Sequence, residues 1–370
     1  MRVLIDAGPL LGPQSGVGSF TGGLLGALAA IPEIDAAAYA TTIRGRRTLT
    51  QALPTGVQLR NVPVPGRVVS FAWRRFDGPP VEWVAGRCAV VHGTNYVVPP
   101  SRRPRVVTVH DMSPVRYPEL CDAIVRSFPD RIRRALEGGA FVHTHSPFVA
   151  DEIAEHFGVP RDRVAVVASG VPRMTPTARP EVAEEVQRKG SYILAVGTVE
   201  PRKDYTTLVR AFEQLAPDLP DVRLVIVGRA ANGYETFADV VSRSPVSGRI
   251  EVLGYASPEL LGELLRRAEV LAYPSLYEGF GYPPLQAMAA GVPVVATDAG
   301  AIPGTVGDAA TLVPVGDVDS MAGALGRLID GSDSRAELIA RGRSRAALYS
   351  WERCGREMAS LYARIVDGGS

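Results

Sequence analysis

The chain has 370 residues, a formal charge of +1 at pH 7, 46% apolar residues and 21% charged residues. A single hydrophobic core rarely grows beyond about 250–300 residues, so we expect two domains. The near-neutral charge argues against a strongly basic nucleic-acid-binding domain, and the composition is that of a soluble globular protein.

Cysteine usage and the start of the chain bear on the compartment. Cys88, Cys121 and Cys354 are far apart and odd in number, which argues against a disulfide framework or a zinc site. A strand pattern begins at Arg2 with no signal peptide before it, and no apolar run approaches the ~20 residues of a membrane span. We therefore expect a cytoplasmic protein. The basic excess of the first half and the aromatic and basic stretch Ser70–Asp77 leave peripheral contact at the inner face of the cell membrane as an alternative.

Short strands alternate with helices through the first half, which is typical of a parallel α/β sheet. The first strand leads into a glycine loop, Gly12–Ser19, and a helix from about Phe20 to Ala30. Ser146 is expected to cap a later helix, and Gly158 is expected to end it. The further predicted elements are strands at 89–92, 105–109 and 164–168 and helices at 123–136 and 147–157.

The alternation pauses at the Pro- and Thr-rich stretch 171–189, which predicts a linker between residues 1–170 and residues 190–350. It then resumes, and the last helix is amphipathic. The second series comprises strands at 192–196, 223–227, 250–253, 270–273, 292–297 and 310–315, and helices at 205–215, before Val240, and at 258–268, 285–290, 321–329 and 351–366. Each half therefore reads as a doubly wound α/β domain, whose ligands bind at the carboxyl ends of strands.

The stretch Tyr273–Gly300 combines a strand, a glycine loop at Glu278–Tyr282 and a helix start. Pro283 and Pro284 suit the first turn of a helix, and Gly291 suits its end. Backbone N–H groups at such a helix start suit a phosphate or another anion. The alternative is an ordinary βαβ unit whose glycines only make turns.

Three other clusters follow predicted strands. Gly16 and Gly18 lack the third glycine of a dinucleotide fingerprint, so the motif is weak. Either Gly16 lets the backbone approach a ligand closely, or the two glycines only make a turn between strand and helix. Arg202 and Lys203 precede a helix and would suit a diphosphate, although such a pair is usually solvated surface. His110 ends a strand and is followed by Asp111, so it lies either at the rim of a pocket or in a structural position.

A metal site is not expected from the carboxylates or the histidines. The sequence has one Asp-x-Asp spacing, at Asp317 and Asp319, and its position before a helix favours capping over metal binding. His92, His143, His145 and His156 do not fall at metal-ligand spacing relative to His110, and His143 and His145 are expected to be structural.

Together these segments resemble glycosyltransferase family 4 over nearly the whole chain. The segments that carry the resemblance are SGVGSF, VVTVHDMSPVRYPE, HSPFVADEIAEHFGVPRDRVAVVASGV, ILAVGTVEPRKDYTTLVRAF, LVIVG, VLGYASPELLGELLRRAEVLAYPSLYEGFGYPPLQAMAAGVPVVAT and SWERC. The resemblance implies the GT-B fold, with two Rossmann-like domains facing across a cleft. Residues 1–170 would form the acceptor side and residues 190–350 the nucleotide-sugar side, and the C-terminal helix, 351–370, would pack back on the first domain.

The resemblance also implies roles for individual residues. The carboxylate of Glu278 would contact the donor sugar, Lys203 would bind the diphosphate with help from Arg202, and His110 would approach the sugar that is transferred. The loop after Glu278 would present N–H groups to sugar and phosphate. The nucleotide-sugar contacts implied in all are Gly16, Gly18, Thr198, Gly254, Tyr255, Gly279, Phe280, Gly281, Tyr282, Leu285 and Gln286.

Two positions depart from the family pattern. Gln286 stands where a second glutamate usually bonds the nucleotide ribose, and Thr198 stands where arginine is frequent. Glutamine still bonds ribose hydroxyls but lacks the charge-assisted bond, which is about twice as strong. These changes bear on affinity and donor choice more than on the class of reaction.

The function that follows from the resemblance is retaining, metal-independent transfer of a hexose from a nucleotide-diphosphate sugar to a hydroxyl of a glycan, lipid-linked or small-molecule acceptor. No cofactor and no nucleic-acid partner are expected. The VEPRK and EGFGYP segments make a GDP-mannose-like donor the first expectation, with UDP- and dTDP-sugars as alternatives. The rivals are a nucleotide-sugar epimerase or phosphorylase on the same fold and a catalytically silent binding or scaffold protein.

Overall fold

The computed structural model describes residues 1–12, 15–42, 45–62, 73, 78–171, 181–331 and 333–368. Contacts divide the chain into two compact units. Unit 1 comprises Met1–Arg116, Ala123–Gly170 and Tyr349–Ser370, and unit 2 comprises Tyr117–Asp122 and Val171–Leu348. Most of the stretch Ser70–Asp77 and residues 172–180 of the predicted linker lie outside the described residues.

Unit 1 is built on a seven-stranded parallel sheet in the order β3-β2-β1-β4-β5-β6-β7. Most of its strand residues are buried, and most of the buried ones are apolar, as expected for a parallel sheet covered on both faces. The strands are β1 (Arg2–Asp6), β2 (Asp35–Thr41), β3 (Gln58–Val62), β4 (Val90–Gly93), β5 (Arg105–Thr108), β6 (Phe141–Thr144) and β7 (Val164–Val166). The helices of this unit are Gly16–Ala29, Arg46–Ala52, Glu82–Ala85, Ser113–Arg116, Phe128–Glu137, Pro147–Phe157 and Trp351–Asp367.

Unit 2 repeats this plan with a six-stranded parallel sheet in the order β10-β9-β8-β11-β12-β13. Its strands are β8 (Ser191–Val196), β9 (Val222–Val227), β10 (Ile250–Gly254), β11 (Val270–Tyr273), β12 (Val294–Thr297) and β13 (Thr311–Val313). Its helices are Glu181–Arg188, Tyr205–Leu215, Tyr234–Arg243, Pro258–Arg267, Tyr282–Ala290, Ile302–Val306, Val318–Asp330 and Arg335–Ala347. Short 3₁₀ turns complete the two units at Gly8–Leu11, Pro118–Leu120, Val125–Ser127, Arg161–Arg163, Pro201–Lys203 and Ser247–Arg249.

Both sheets have a topological switch point, where the strand order reverses. It lies between β1 and β4 in unit 1 and between β8 and β11 in unit 2. Ligands of open α/β sheets bind outside the carboxyl ends of the strands at such points. The predicted α/β class with two Rossmann-like units is therefore confirmed, and the topology indicates where each unit can hold a ligand.

The helix caps follow the sequence signals. The Ser146 hydroxyl accepts from the Val149 N–H, and Gly158 ends the same helix in the left-handed region. The Asp317 carboxylate accepts from the Ser320 N–H, so this carboxylate caps a helix as predicted.

Four helices differ from the sequence prediction. The first begins at Gly16 rather than Phe20, because the Ser15 side chain caps it, so both glycines lie in its first turn. Helix Phe128–Glu137 begins later than predicted, with a proline in its first turn. Helix Glu181–Arg188 lies inside the predicted linker, where it buries Ala183 and Val186. Helix Arg335–Ala347 is absent from the prediction, because its exposed face is rich in arginine and only Leu338, Gly342 and Ala346 are buried.

The C-terminal helix closes unit 1. Its residues Cys354, Met358, Leu361 and Tyr362 are buried in the same core as Leu24 and Leu28 of the first helix. At its start the Trp351 ring lies against Gly23 and Gly170, so closely that a Cβ at either glycine would overlap the indole. The absence of side chains at these two glycines therefore lets the C-terminal helix pack.

We predict that Gly23→Ala destabilises unit 1 by about 1–3 kcal/mol, because the new methyl group overpacks against the Trp351 ring. Gly22→Ala is the matched control, since its Cβ would make ordinary contact at 3.6 Å with Leu10, and it should stabilise the helix by about 0.5–1 kcal/mol. Urea unfolding followed by tryptophan fluorescence measures both, because all three tryptophans lie in unit 1. Equal stability of the two variants would contradict the packing role of Gly23.

Candidate functional site

Two chain segments meet at the switch point of unit 2. Gly197–Lys203 follows β8, and Pro274–Tyr282 follows β11, the adjacent strand. The Leu276 N–H donates to the Arg202 carbonyl at 2.9 Å, which ties the two segments together. Gly228 allows the close approach of the neighbouring strand end, because a Cβ there would overlap the Gly197 carbonyl. The chain thus brings the Arg202-Lys203 pair beside Glu278, far apart in sequence.

A buried ion cluster forms where these segments meet. Lys203 Nζ lies 2.5 Å from Glu278 Oε1 and donates to the Tyr273 hydroxyl at 3.0 Å. The Arg202 guanidinium lies 3.3 Å from Glu278 Oε2 and 2.7 Å from Glu200 Oε1, and it also donates to the Tyr277 carbonyl at 2.9 Å. Lys203 and Glu278 are each only 7% exposed. Both cations predicted to bind a diphosphate are therefore held by carboxylates within unit 2.

The ionisation of this cluster is set by opposing effects. Burial alone would raise the pKa of Glu278, but Lys203 and Arg202 together hold it at about 2. Burial lowers the pKa of Lys203, and the attraction of Glu278 opposes that shift. At neutral pH Glu278 is therefore a carboxylate. Lys203 is an ammonium group whose charge is favoured by the neighbouring Glu278 carboxylate.

The loop after Glu278 positions a helix start. Gly279, Phe280 and Gly281 are buried, and Gly281 adopts φ 102° as the residue before helix Tyr282–Ala290. A side chain at Gly300 would collide with the Glu278 carbonyl, to which the Ala301 N–H donates at 2.8 Å. Glu278 is thus fixed by its main chain as well as by its ion pairs.

The other residues predicted to bind a nucleotide sugar have different exposures. Thr198 is half-buried after β8, and Tyr255 is 47% exposed beside Gly254, which ends β10 with φ 71°. The side chain of Leu285 is fully buried, so it supports the helix rather than lining a surface. Gln286 is half-buried on that helix, and in the described part of the chain its amide makes no hydrogen bond.

Unit 1 contains the remaining predicted residues, at the carboxyl ends of its strands. Gly16 is exposed at the start of the first helix, where a Cβ would meet no atom of the described residues within 4 Å. Gly18 is buried, its N–H donates to the Ser15 hydroxyl at 3.3 Å, and a Cβ would lie 3.2 Å from the Pro9 carbonyl. A side chain at Gly18 would therefore press on the Pro9 carbonyl, whereas one at Gly16 would meet none of the described residues.

His110 belongs to a pair of hydrogen-bonded histidines. Its Nε2 donates to the Thr94 carbonyl at 2.8 Å, so in the neutral ring Nδ1 is an acceptor, and it accepts from His145 Nε2 at 3.0 Å. Both ring nitrogens of His110 are therefore engaged inside unit 1. A sugar contact from this residue would use its ring carbons or its carbonyl, or would require one of these bonds to break. His145, which the sequence left as structural, orients the His110 ring.

Two further histidines form a hydrogen-bonded chain with a fixed direction. His143 Nε2 donates to the Val167 carbonyl at 3.0 Å, so its Nδ1 accepts from the Thr108 hydroxyl at 2.9 Å. That hydroxyl in turn accepts from His92 Nε2 at 2.7 Å, which leaves His92 Nδ1 to accept from the Tyr362 hydroxyl at 2.7 Å. The chain has the right number of protons only when both histidines are neutral.

The described residues lack two further features. Within them, no three His, Cys, Asp or Glu side chains are grouped so as to hold a metal ion. Among the same residues, no helix combines the length and the apolar character that a bilayer crossing needs.

Comparison with known proteins gives the family. The model described as "Glycosyltransferase Family 4" matches residues 32–173, and the one described as "Glycosyl transferases group 1" matches residues 179–345. An O-antigen chain mannosyltransferase B of Escherichia coli is 32% identical over 281 residues, covering 74% of each chain. The chain belongs to the family 4 glycosyltransferases. It is an enzyme of the glycosyltransferase class, as the sequence predicted.

Other relatives and solved structures agree with this assignment. A phosphatidyl-myo-inositol mannosyltransferase of Mycolicibacterium smegmatis is 34% identical over 188 residues, which cover 49% of this chain and 47% of that one. A sucrose-phosphate synthase structure from Thermosynechococcus elongatus superposes with a TM-score of 0.77 at 19% identity, over the whole of both chains. The Anabaena HepE structure with UDP and glucose gives 0.72 at 17% identity, covering 98% of this chain and 99% of that one. At these identities the structures establish the GT-B fold class of this glycosyltransferase.

We predict that unit 1 of this glycosyltransferase loses stability as the pH falls from about 6.5 towards 4. Burial lowers the pKa of His92, His110, His145 and His143, the last to about 4. The unfolded chain therefore binds these protons at a higher pH than the folded chain, so stability is greatest above about pH 6.5. Asp6 acts in the opposite direction, because burial raises its pKa to about 6 and the folded chain therefore binds this proton at a higher pH than the unfolded chain. It offsets the uptake of protons by the histidines by at most one proton.

Urea unfolding at a series of pH values, followed by tryptophan fluorescence, measures this effect. Each uncompensated proton corresponds to about 1.4 kcal/mol for each pH unit, and we expect at least that slope between pH 6 and 5. His156→Gln is the control, since His156 is exposed on helix Pro147–Phe157, and it should keep the same slope. A free energy of unfolding that does not change between pH 7 and 5 would contradict the neutral histidine arrangement.

Proposed function

We propose that this glycosyltransferase is a retaining, metal-independent hexosyltransferase that moves a sugar from a nucleotide diphosphate to an acceptor hydroxyl. The observation that carries the proposal is the buried cluster of Lys203, Arg202 and Glu278 at the switch point of unit 2. It places two cations and a fixed carboxylate beside the start of helix Tyr282–Ala290. A sugar diphosphate presents the matching chemistry, with an anion next to hydroxyl groups.

The proposed reaction depends on stabilising the charge of the leaving diphosphate more than on a general base supplied by the protein. When the bond between the anomeric carbon and the diphosphate oxygen breaks, positive charge builds on the sugar and negative charge on the leaving group. Lys203, Arg202 and the N–H groups of the helix start would stabilise the leaving group. The acceptor oxygen bonds the anomeric carbon on the same face, and its proton passes to the departing diphosphate.

Glu278 fixes the position of the Lys203 ammonium group. Its ion pair holds Lys203 Nζ in place before any donor arrives, so the cation need not be reorganised during the reaction. Its carboxylate can also accept hydrogen bonds from sugar hydroxyls. We propose a metal-independent reaction because Lys203, Arg202 and the N–H groups of the helix start would donate hydrogen bonds to the diphosphate where a metal ion would otherwise bind it.

The donor is proposed from the names of the relatives, and a binding experiment can test it directly. Three of the similar proteins are named as mannosyltransferases, which supports a GDP-mannose-like donor, whereas the HepE structures contain UDP or UDP-glucose. A thermal-shift screen with GDP, UDP, dTDP and ADP separates these donors. We expect GDP to raise the Tm most, and a larger shift with UDP would move the assignment to a UDP-sugar.

We predict that Lys203→Ala lowers kcat for sugar transfer by about 10²–10³-fold, because one electrostatic stabiliser of the leaving diphosphate is lost. The assay is mass-detected turnover of the nucleotide sugar selected by the screen. Lys189→Ala is the matched control, since Lys189 pairs with Glu251 and Glu185 elsewhere in unit 2, and it should keep full activity.

Removal of Lys203 also leaves Glu278 buried with fewer partners, so folding needs a separate control. In the double variant Lys203→Met with Glu278→Gln no buried charge is left without its partner, and it should fold but stay inactive. Transfer by Lys203→Ala at the wild-type rate would refute the diphosphate role. Product formation without any acceptor would instead indicate an epimerase or phosphorylase.

We predict that Gln286→Glu keeps or raises the affinity for the nucleotide, by up to about tenfold, because a carboxylate makes the stronger charge-assisted bonds to ribose hydroxyls. Gln286→Ala should weaken binding, since its amide has no other hydrogen-bond partner in the described residues. Calorimetric titration with the selected nucleotide measures both variants. A large loss of affinity in Gln286→Glu would show that this pocket is built around glutamine.

A further inference from the structure

Asp6 is a carboxylate that the reaction as described does not use. It ends β1 at the switch point of unit 1, beside β4. Its Oδ1 accepts from the Gly8 N–H at 2.8 Å, which among the described residues is the carboxylate's one hydrogen bond, and the carboxylate has no ion pair with any of them. The residue is half-buried, so its second oxygen is left for another donor.

The surroundings of the Asp6 carboxylate lower the stability of the fold, which a purely structural group would not be expected to do. Burial raises the pKa of Asp6 to about 6, although the Gly8 bond acts in the opposite direction. A partly buried charge without a cation lowers the stability of the fold. Perturbed carboxylates at the carboxyl ends of parallel strands are candidates for function, because open α/β sheets bind their ligands there. A turn that needs only one oxygen acceptor would be served equally well by asparagine.

The neighbours of Asp6 connect it to the histidine pair. The Thr94 hydroxyl donates to the Asp6 carbonyl at 2.9 Å, and the Thr94 carbonyl accepts from His110. Thr94, His110 and His145 are all uncharged in the arrangement described above. A negatively charged group beside Asp6 would therefore meet a carboxylate and no neutralising side chain from these residues.

We propose that Asp6 is an acceptor-binding residue, whose free carboxylate oxygen accepts a hydrogen bond from a hydroxyl of an uncharged, polyhydroxylated acceptor. The proposal rests on the proposed sugar transfer and adds the acceptor class and the residue that recognises it. Asp6 orients the acceptor, and the proton of the attacking hydroxyl still passes to the leaving diphosphate.

The test compares wild type, Asp6→Asn and Asp35→Asn in NMR titrations with two neutral probes, myo-inositol and methyl α-D-mannopyranoside, in the presence of GDP. Asparagine keeps an oxygen for the Gly8 N–H and removes only the charge. Asp35, which pairs with Arg2 at the start of β2, is the control carboxylate. We expect Asp6→Asn to weaken binding of at least one probe about tenfold, because a hydrogen bond to a charged group is replaced by a neutral one.

The same titrations separate the possible failures. Equal probe affinity in wild type and Asp6→Asn, an equal loss in Asp35→Asn, or no probe binding by wild type would each overturn the assignment to Asp6. The affinity for GDP, whose predicted contacts lie largely in unit 2, should not change in either variant. If wild type binds the probes through Asp6 but binds none of GDP, UDP, dTDP and ADP, the proposed donor chemistry fails while the Asp6 site stands.

Discussion

The buried ion pair between Lys203 and Glu278 is the interaction on which the rest of unit 2 depends. Each ion loses several kcal/mol of hydration when it is buried, and only close pairing with further hydrogen bonds offsets that loss. Lys203 has the Tyr273 hydroxyl as a second partner, and Glu278 has Arg202. Removing one partner from such a pair costs about 3–5 kcal/mol, so the fold and the charge arrangement of the site constrain each other.

The backbone around this pair is arranged so that the two strand ends can meet. Gly228 lets the end of β8 approach its neighbour, Gly300 makes room for the Glu278 carbonyl, and Gly281 turns the loop into a helix start. These positions need glycine because a side chain would collide or would require an unfavourable φ. The glycines therefore act mainly by positioning charged side chains, in addition to any contact of their own with a ligand.

The sequence allowed the fold class and most elements to be predicted, because buried parallel strands and capped helices leave a strong local pattern. Ser146, Gly158 and Asp317 act as expected, since capping is decided within a few residues. Helix Arg335–Ala347 could not be found this way, because the neighbours that bury its narrow apolar face are distant in sequence.

The candidate site likewise has features that local sequence patterns predict and features that depend on contacts between distant parts of the chain. Motif residues such as Glu278 and Lys203 could be named from the sequence, but their direct pairing depends on which strands are adjacent. The orientation of His110 by His145 depends on hydrogen bonds between strand ends, which no spacing encodes. Asp6 belongs to no motif, and its partial exposure and the lack of a cation beside it among the described residues are properties of the folded unit.

The two units handle buried ionisable groups in opposite ways, and this separates their responses to acid. Unit 1 keeps its buried histidines, His92, His110, His143 and His145, neutral, so protons favour its unfolded state once the pH is below about 6.5. Unit 2 keeps Glu278 ionised, with a pKa near 2, so this group contributes stability above its ordinary value of 4.5 and loses it only as the pH falls towards 2. Mild acid should therefore weaken unit 1, with its histidines and its C-terminal helix, while the ion cluster of unit 2 is still intact.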